Sequence, residues 1–313
     1  MLLFILINGD GLIIFIKMKV LITGSTGFLC VVINNILQKD HTLFGLSRSN
    51  SDYNFDLQNE VPEFIDQFET VIHAAGKAHS TPKTILETQD FYNVNLIGTQ
   101  NLLIGLENYK IPKRFVFISS VAVYGLEIGK DINEEYPLSA KDPYGLSKIK
   151  TEQLVIDWCQ KNNVICTILR LPLLVGENPP GNLGAMVKGI QNGFYFNIAG
   201  GQARKSMVLA NDVAKIILKA SEIGGIYNLT DGYHPSFYEL SYAIGKQFGK
   251  SRIFNLPFFI AKIIALFGDV FGTKFPLNSN KLRKISSDLT FDDSKAMQVL
   301  GWNPSYVLDY YKK

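Results

Sequence analysis

The sequence predicts an α/β fold built on a doubly wound parallel sheet, with a smaller C-terminal α/β region, and three observations carry that prediction. Short, continuous apolar runs recur from residue 18 onward and alternate with stretches of helical periodicity. Parallel strands covered by helices on both faces produce that alternation. A glycine-containing turn, Thr23-Gly24-Ser25-Thr26-Gly27, joins the first run to the first helical stretch. Beyond residue 173 the alternation loosens into segments rich in glycine, proline and aromatic residues, which marks the second region.

Taken in order, residues 19–23 read as a buried strand, 28–38 as a helix, 42–46 as the second strand and 70–73 as the third. Residues 84–108 are long and periodic, hence helical, and 114–118 form another strand. Asp142-Pro143 opens a helix to about residue 161, because aspartate caps the free N–H groups of a first turn and proline fits there. Residues 164–169 are the next strand, and 226–229 read as a short strand returning to the main sheet. Residues 254–271 are strongly apolar and read as a helix buried under the smaller region, with a membrane-surface contact as the alternative. The expected organisation is a Rossmann-type nucleotide-binding domain over 18–175, with a returning segment near 206–230. A substrate-binding region would comprise 176–205 and 231–313.

The 313 residues are 47% hydrophobic and 19% charged, which suits a well-buried globular core. A net charge of +3 without a basic block argues against nucleic acid as a partner. Cys30, Cys159 and Cys166 have no metal-ligand spacing, so they read as small buried hydrophobes in the reducing cytoplasm, with no metal expected. Apolar residues 2–7 and 12–16 are split by Asn8-Gly9-Asp10-Gly11, and neither approaches the ~20 residues of a membrane span. Met18 reads as the true start, leaving 1–17 as a doubtful extension; a weak membrane-associating segment is the alternative.

The turn at 23–30 suits a dinucleotide. Gly24 permits a tight turn, Gly27 lets backbone approach a pyrophosphate, and the N–H groups of Thr26, Phe28 and Leu29 face the phosphates at a helix N-terminus. Cys30 replaces the third glycine of the usual pattern, whose task is close helix–strand packing. After the second strand stands Leu46-Ser47-Arg48-Ser49, with no acid for a ribose 2′-hydroxyl. Arg48 is placed to face a 2′-phosphate, which favours NADP(H) and leaves NAD(H) open; a solvated Arg48 is the plain alternative.

Tyr144 and Lys148 are four residues apart and share one face of the predicted helix. The ammonium is expected to lower the tyrosine pKa, so that the phenol exchanges a proton with a sugar hydroxyl as hydride moves. Lys148 would also bond the nicotinamide ribose. Ser119 and Ser120 follow a strand at the end where α/β sheets bind ligands. Lys77 and His79 read as substrate contacts or as solvated loop residues, and His41 and His234 as structural.

These segments occur together, in order, with His73-Ala74-Ala75-Gly76, Asn95, Tyr124-Gly125, Arg170-Leu171-Pro172, Arg204 to Asp212 and Leu300-Gly301-Trp302. The chain thereby resembles the extended short-chain dehydrogenase/reductases, the NAD-dependent epimerase/dehydratase group, over residues 18–313. The resemblance implies Ser120, Tyr144 and Lys148 as catalytic residues. It implies Asp56 and Leu57 beside an adenine, Ala74, Ala75 and Gly76 lining the dinucleotide, and Asn95 near it; Ser119, by its place after the strand, reads as a cofactor contact or as a cap. Arg204 would grip a nucleotide diphosphate, and Asn182 falls where substrate contacts are common. A homodimer through residues 84–108 and 144–161 is implied as well. Dehydratases of the group carry an Asp-Glu pair after the catalytic Ser or Thr; here Val121 and Ala122 stand there and supply neither acid nor base. Two chemistries at C4 of a nucleotide sugar remain, with a UDP carrier implied. One is a 4-ketoreductase making a 6-deoxy-hexosamine nucleotide for surface polysaccharide, which the missing acid after residue 46 favours. The other is a 4-epimerase of the UDP-glucose or UDP-N-acetylglucosamine type. A non-catalytic dinucleotide sensor is the third reading.

Overall fold

The computed structural model describes residues 4–7, 13–78, 82–250, 252–271 and 277–312. Strands β1 (Phe4–Ile7) and β2 (Ile13–Ile16) pair antiparallel in a two-stranded sheet. The main sheet begins with β3 (Lys19–Thr23), followed by α1 (Phe28–Leu37), β4 (Thr42–Ser47), β5 (Tyr53–Asn54) and β6 (Thr70–His73). Then come α2 (Ile85–Tyr92), α3 (Gly98–Tyr109), β7 (Arg114–Ser120), β8 (Gly129–Ile132), α4 (Pro143–Asn162), β9 (Ile165–Leu171) and β10 (Leu173–Val175). The remainder is α5 (Gly181–Gln191), β11 (Phe196–Ile198), β12 (Met207–Leu209), α6 (Ala210–Ile223), β13 (Gly225–Asn228), α7 (Phe237–Gln247) and β14 (Phe254–Leu256). α8 (Phe258–Phe271), α9 (Ser279–Ser286), β15 (Leu289–Phe291), α10 (Ser294–Leu300) and α11 (Val307–Tyr310) complete it.

Seven strands form one sheet in the order β13-β9-β7-β6-β3-β4-β5, and the pairs from β5 through β7 run parallel. Val20, Leu21, Ile22, Val71 and Ile72 have no exposed surface, which is why their runs are continuously apolar. The expected doubly wound α/β class is therefore the observed one, and β13 returns to the sheet beside β9 as the sequence indicated.

The chain divides into two compact units. One comprises Met1–Ser119, Leu146–Leu169 and Ala214–Gly225; the other comprises Ser120–Gly145, Arg170–Val213 and Ile226–Lys313. In the first, Gly105 of α3 lies against Pro62, where a Cβ would stand 2.5 Å from the carbonyl oxygen. In this unit the thiols of Cys159 and Cys166 are hydrogen-bonded to each other.

The second unit has its own apolar centre, which joins Val175, Leu183, Ile190, Met207, Leu240, Ile244 and Val307. A buried polar network ties its segments together. Tyr124 donates to Asn228 (2.8 Å), Arg170 donates to Tyr124 (3.1 Å), and the Asn228 N–H donates to Glu134 (2.7 Å). Tyr124, Arg170 and Trp302, singled out by motif, thus hold framework positions; the Trp302 indole donates to the Thr230 carbonyl at 3.0 Å.

Residues 85–109 are helical throughout, as the periodicity indicated, with a π-helical stretch at Asn93–Ile97 between α2 and α3. One sequence expectation changes: residues 254–271 are not a buried helix. They form β14 and α8, and only the Ala261, Ala265 side of α8 joins a core with Leu277 and Leu282. A segment apolar on all sides carries no periodic signal to say which side is covered.

Gly105→Ala is expected to lower stability by about 1–3 kcal/mol through overpacking against Pro62. A thermal melt unchanged within error would show that α3 shifts freely there.

Candidate active site

The turn after β3 is held on two sides. Gly24 adopts φ +69°, and a Cβ on it would lie 2.8 Å from the Ala75 Cα. Its N–H donates to the Leu46 carbonyl at 2.8 Å, while the Ala75 N–H donates to the Thr23 hydroxyl at 3.2 Å. The carboxyl ends of β3, β4 and β6 are thereby drawn together. Gly27 caps α1 without a side chain, so the helix's first N–H groups and its partial positive end stay open to an anion. Cys30 fits where a third glycine is usual: it is 2% exposed and its thiol points back to the Thr23 carbonyl at 3.6 Å.

Around this turn lies a cavity of about 670 Å³ within the first unit. Of the residues expected at a dinucleotide, Gly24, Thr26, Gly27, Arg48, Asp56, Leu57, Ala74, Ala75 and Gly76 line it. Ser47, Ser49, Phe55, Gln58, Lys77 and Asp90 line it too, and the sequence did not single them out as cofactor residues. Phe28, Leu29, Asn95 and Ser119 are not in its wall; Leu29 is turned into the core, 7% exposed. Leu57 is pinned by Asn101, which donates to its carbonyl at 2.8 Å. Arg48 is exposed at the rim. Asp52, the acid nearest the end of β4 in sequence, has its carboxylate on the Gly45 N–H at 2.7 Å. Lys77 is partly exposed and pairs with Asp90 at 2.8 Å. His79 lies outside the described residues.

Below the cavity runs a line of buried hydrogen bonds. With the Ala75 N–H on its oxygen, the Thr23 hydroxyl donates to His73 Nδ1 (2.6 Å). The Thr99 hydroxyl donates to the Asn95 carbonyl (2.6 Å) and so accepts from His73 Nε2 (2.7 Å). These directions assign the neutral Nε2–H tautomer. Burial, with Lys148's charge adding to it, pushes the His73 pKa down to about 3.

The π-turn places Asn95, 1% exposed, on three partners. Its amide donates to Ser147 (2.8 Å) and the Lys77 carbonyl (3.2 Å), and its oxygen accepts from the Lys77 N–H (2.7 Å). A Cβ on Gly76 would stand 3.0 Å from that oxygen and 3.4 Å from the Lys148 ammonium. Lys148 is 5% exposed, donates to the Ile118 carbonyl at 2.9 Å and lies 4.5 Å over the Phe117 ring. Burial lowers its pKa to about 8, and the Glu152 carboxylate opposes that. Glu152, 2% exposed, also accepts from Ser119 at 2.5 Å. Glu152 was missed in the sequence; its signal was the i, i+4 spacing from Lys148.

The second unit carries Ser120 and Tyr144. Ser120 accepts from the Ala122 N–H at 3.2 Å and is hydrogen-bonded to Tyr144. Burial holds the Tyr144 pKa above the ordinary phenol value, the Ser120 bond draws it down, and Asp142 raises it further. This corrects the expectation of a depressed phenol: in the folded chain burial outweighs the favourable partners. The same unit holds Arg204 on the His234 carbonyl (3.0 Å) and Glu239 (3.4 Å), with Tyr233 5.5 Å beneath it. Asn182 is exposed in the first turn of α5, and His234 contacts Ser206 at 3.0 Å.

The model of the NAD dependent epimerase/dehydratase family matches residues 20–230. The chain belongs to that family. It is an enzyme of the extended short-chain dehydrogenase type. An N-acetyl-α-D-glucosaminyl-diphospho-ditrans,octacis-undecaprenol 4-epimerase of Escherichia coli O157:H7 is 25% identical, over 88% of each chain. A UDP-glucose 4-epimerase of Bacillus subtilis is 26% identical, over 93% of this chain and 94% of its own. Two solved structures share the fold. A UDP-glucose 4-epimerase of Thermotoga maritima with UDP-glucose has TM-score 0.72 and 20% identity, covering 94% and 99%. A human epimerase family protein with NADPH has TM-score 0.74 and 16% identity, covering 95% and 100%.

Because His73 titrates near 3 when folded and near 6.5 when free, the unfolded chain alone takes its proton as pH falls below 6.5. Its contribution to stability is therefore expected to decline by about 1.4 kcal/mol per pH unit from 6.5 towards 3. Urea unfolding at pH 7.5 and 5.0 should show a shallower loss in His73→Gln; equal losses in both proteins would overturn this.

Gly24→Ala is expected to abolish dinucleotide binding by pressing Ala75 aside. Retained binding in a fluorescence titration would place the pyrophosphate elsewhere.

Proposed function

We propose that this enzyme interconverts the two configurations at C4 of a sugar carried on a diphosphate, with a UDP-hexose or UDP-N-acetylhexosamine as substrate. The supporting observation is Ser120 hydrogen-bonded to Tyr144, with the apolar pair Val121-Ala122 directly after Ser120 and Lys148 one turn beyond Tyr144 along α4. That set moves one proton at one hydroxyl and lacks the acid and base an elimination needs. The 4-epimerase names of relatives spanning about nine-tenths of the chain favour epimerisation over net reduction.

A nicotinamide dinucleotide supplies a hydride acceptor and donor when bound. The cavity suits it: Gly24 and Gly76 leave room only for backbone, and the open N-terminus of α1 favours a pyrophosphate. In this reading Tyr144 takes the proton of the C4 hydroxyl and returns it. Ser120 orients the reacting oxygen. Lys148, held by Ile118 and balanced by Glu152, supplies the positive charge that a phenolate requires. Asn95 fixes Ser147 and the Lys77 backbone, and Arg204 receives a diphosphate by leaving Glu239.

One observation favours the reductase reading. Arg48, Ser47 and Ser49 share the rim, and Asp52 is committed to Gly45, so the rim suits a 2′-phosphate and an exchangeable NADPH. Arg48→Ala is then expected to weaken NADPH binding by about tenfold or more and to leave NADH unchanged.

Incubation with UDP-glucose or UDP-N-acetylglucosamine and NAD, followed by chromatography, should yield the C4 epimer. Tyr144→Phe should lose about 10²-fold or more of that rate. Steady NADPH loss with a 4-keto-6-deoxy-hexosamine nucleotide, and no epimer, would replace the epimerase by the ketoreductase.

A further inference from the structure

α8 presents an apolar face that no described residue covers. Helical spacing puts Phe259, Ile263, Leu266, Phe267 and Val270 on one side, each between 52% and 82% exposed. The opposite side is the one that packs, through Ala261 and Ala265. Further exposed aromatic residues lie on β14 and its partner strand β11. β14 leads into α8 through Pro257, and its Phe254, 75% exposed, is the register partner of Phe196, 48% exposed. Phe194, two residues before Phe196, is 82% exposed. Large aromatic and aliphatic side chains gathered at this density on a surface mark a contact with another apolar phase.

The charge of the chain segment that contains the face says which phase. Residues 246–270 hold four cations, Lys246, Lys250, Arg252 and Lys262, against one acid, Asp269, a net of +3. The whole chain has 31 basic and 28 acidic residues, so the remaining 27 of each cancel and this stretch carries the entire net charge. Asp269 is itself occupied, accepting from the backbone N–H of Ser279 at 2.9 Å and from its hydroxyl. Lys262 is one turn from both Phe258 and Leu266, at the edge of the face, where its stem can lie along apolar surface while the ammonium reaches a headgroup. A helix with aromatic residues on one side and lysine at its margin is built for the interface of an anionic bilayer. At 14 residues it lies on the surface; no helix among the described residues is long and apolar enough to cross a membrane. A second copy on the same face would bring two positive fringes together, which disfavours self-association there.

We propose that α8, with Phe194, Phe196 and Phe254, seats this enzyme on an anionic phospholipid surface. The assignment is independent of which sugar the active site takes.

The test is flotation of the full-length protein with vesicles of phosphatidylcholine, alone or mixed with phosphatidylglycerol. The protein should float with the mixed vesicles and release as salt rises. The double variant Phe259→Ser, Phe267→Ser should reduce the bound fraction about tenfold or more, and Lys262→Glu should reduce binding to the mixed vesicles selectively. Both variants alter exposed positions, so circular dichroism and dinucleotide binding should match the parent. Failure to float with the mixed vesicles overturns the proposal, as does flotation that the double variant leaves intact. A drop in oligomeric mass of the double variant in sedimentation velocity, without vesicle binding by the parent, would assign the face to a second copy instead.

Discussion

The backbones of Gly24 and Ala75 approach so closely that a methyl group has no room between them, and the carboxyl edge of the sheet is organised by that contact. It forces a left-handed turn after β3, which aims the N-terminus of α1 into the cavity and leaves its first N–H groups available. It also brings the Ala75 N–H onto the Thr23 hydroxyl, and from there the line of buried hydrogen bonds passes through His73 and Thr99 to Asn95. One steric constraint therefore sets both the shape of the cavity wall and the polar order beneath it. Cys30 shows how far the surrounding packing can vary, since a thiol directed at the Thr23 carbonyl occupies a place usually left to a hydrogen atom.

The electrostatics beneath the cavity follow from burial. His73 stays neutral because it is fully buried and an ammonium is nearby. Lys148 keeps a positive charge in a dry place through the Ile118 carbonyl, the Phe117 ring and the opposing carboxylate of Glu152. The group that neutralises the site's key cation is thus one helical turn beyond it, buried and hydrogen-bonded to Ser119. Ser119 and Ser120, adjacent in sequence, consequently have different duties: one steadies a carboxylate, the other faces a phenol.

Much of this was legible because the signals are local. A glycine turn after an apolar strand, a run of small residues after β6 and a tyrosine four positions before a lysine each depend on one stretch of chain. What escaped depends on several stretches at once. Phe55, Gln58 and Asp90 reach the cavity wall because the connection after β5 and helix α2 pass over it, which no single segment reveals. The π-turn at Asn95 looks like ordinary helix in sequence, since Thr99 and Thr151, which take up its carbonyl, come from different helices. The pKa of Tyr144 was misjudged because spacing identifies a charged neighbour but not the loss of water. α8 was misjudged because its apolar residues surround the whole helix.

The interleaving of the two units has a consequence for how the chain is made. Neither unit is a continuous piece: the first is finished only by Ala214–Gly225, and the second is opened at Ser120 and completed at the C-terminus. β13, at the end of the seven-strand order, cannot take its place beside β9 until residue 228 has left the ribosome. Until that point the growing chain exposes β9 as an unpaired strand edge, for roughly 3–11 s at about 5–20 residues per second. Chaperone dependence during translation should therefore be concentrated between the emergence of β9 and that of β13, and a truncation ending inside α6 should be far more prone to aggregate than its length alone would suggest.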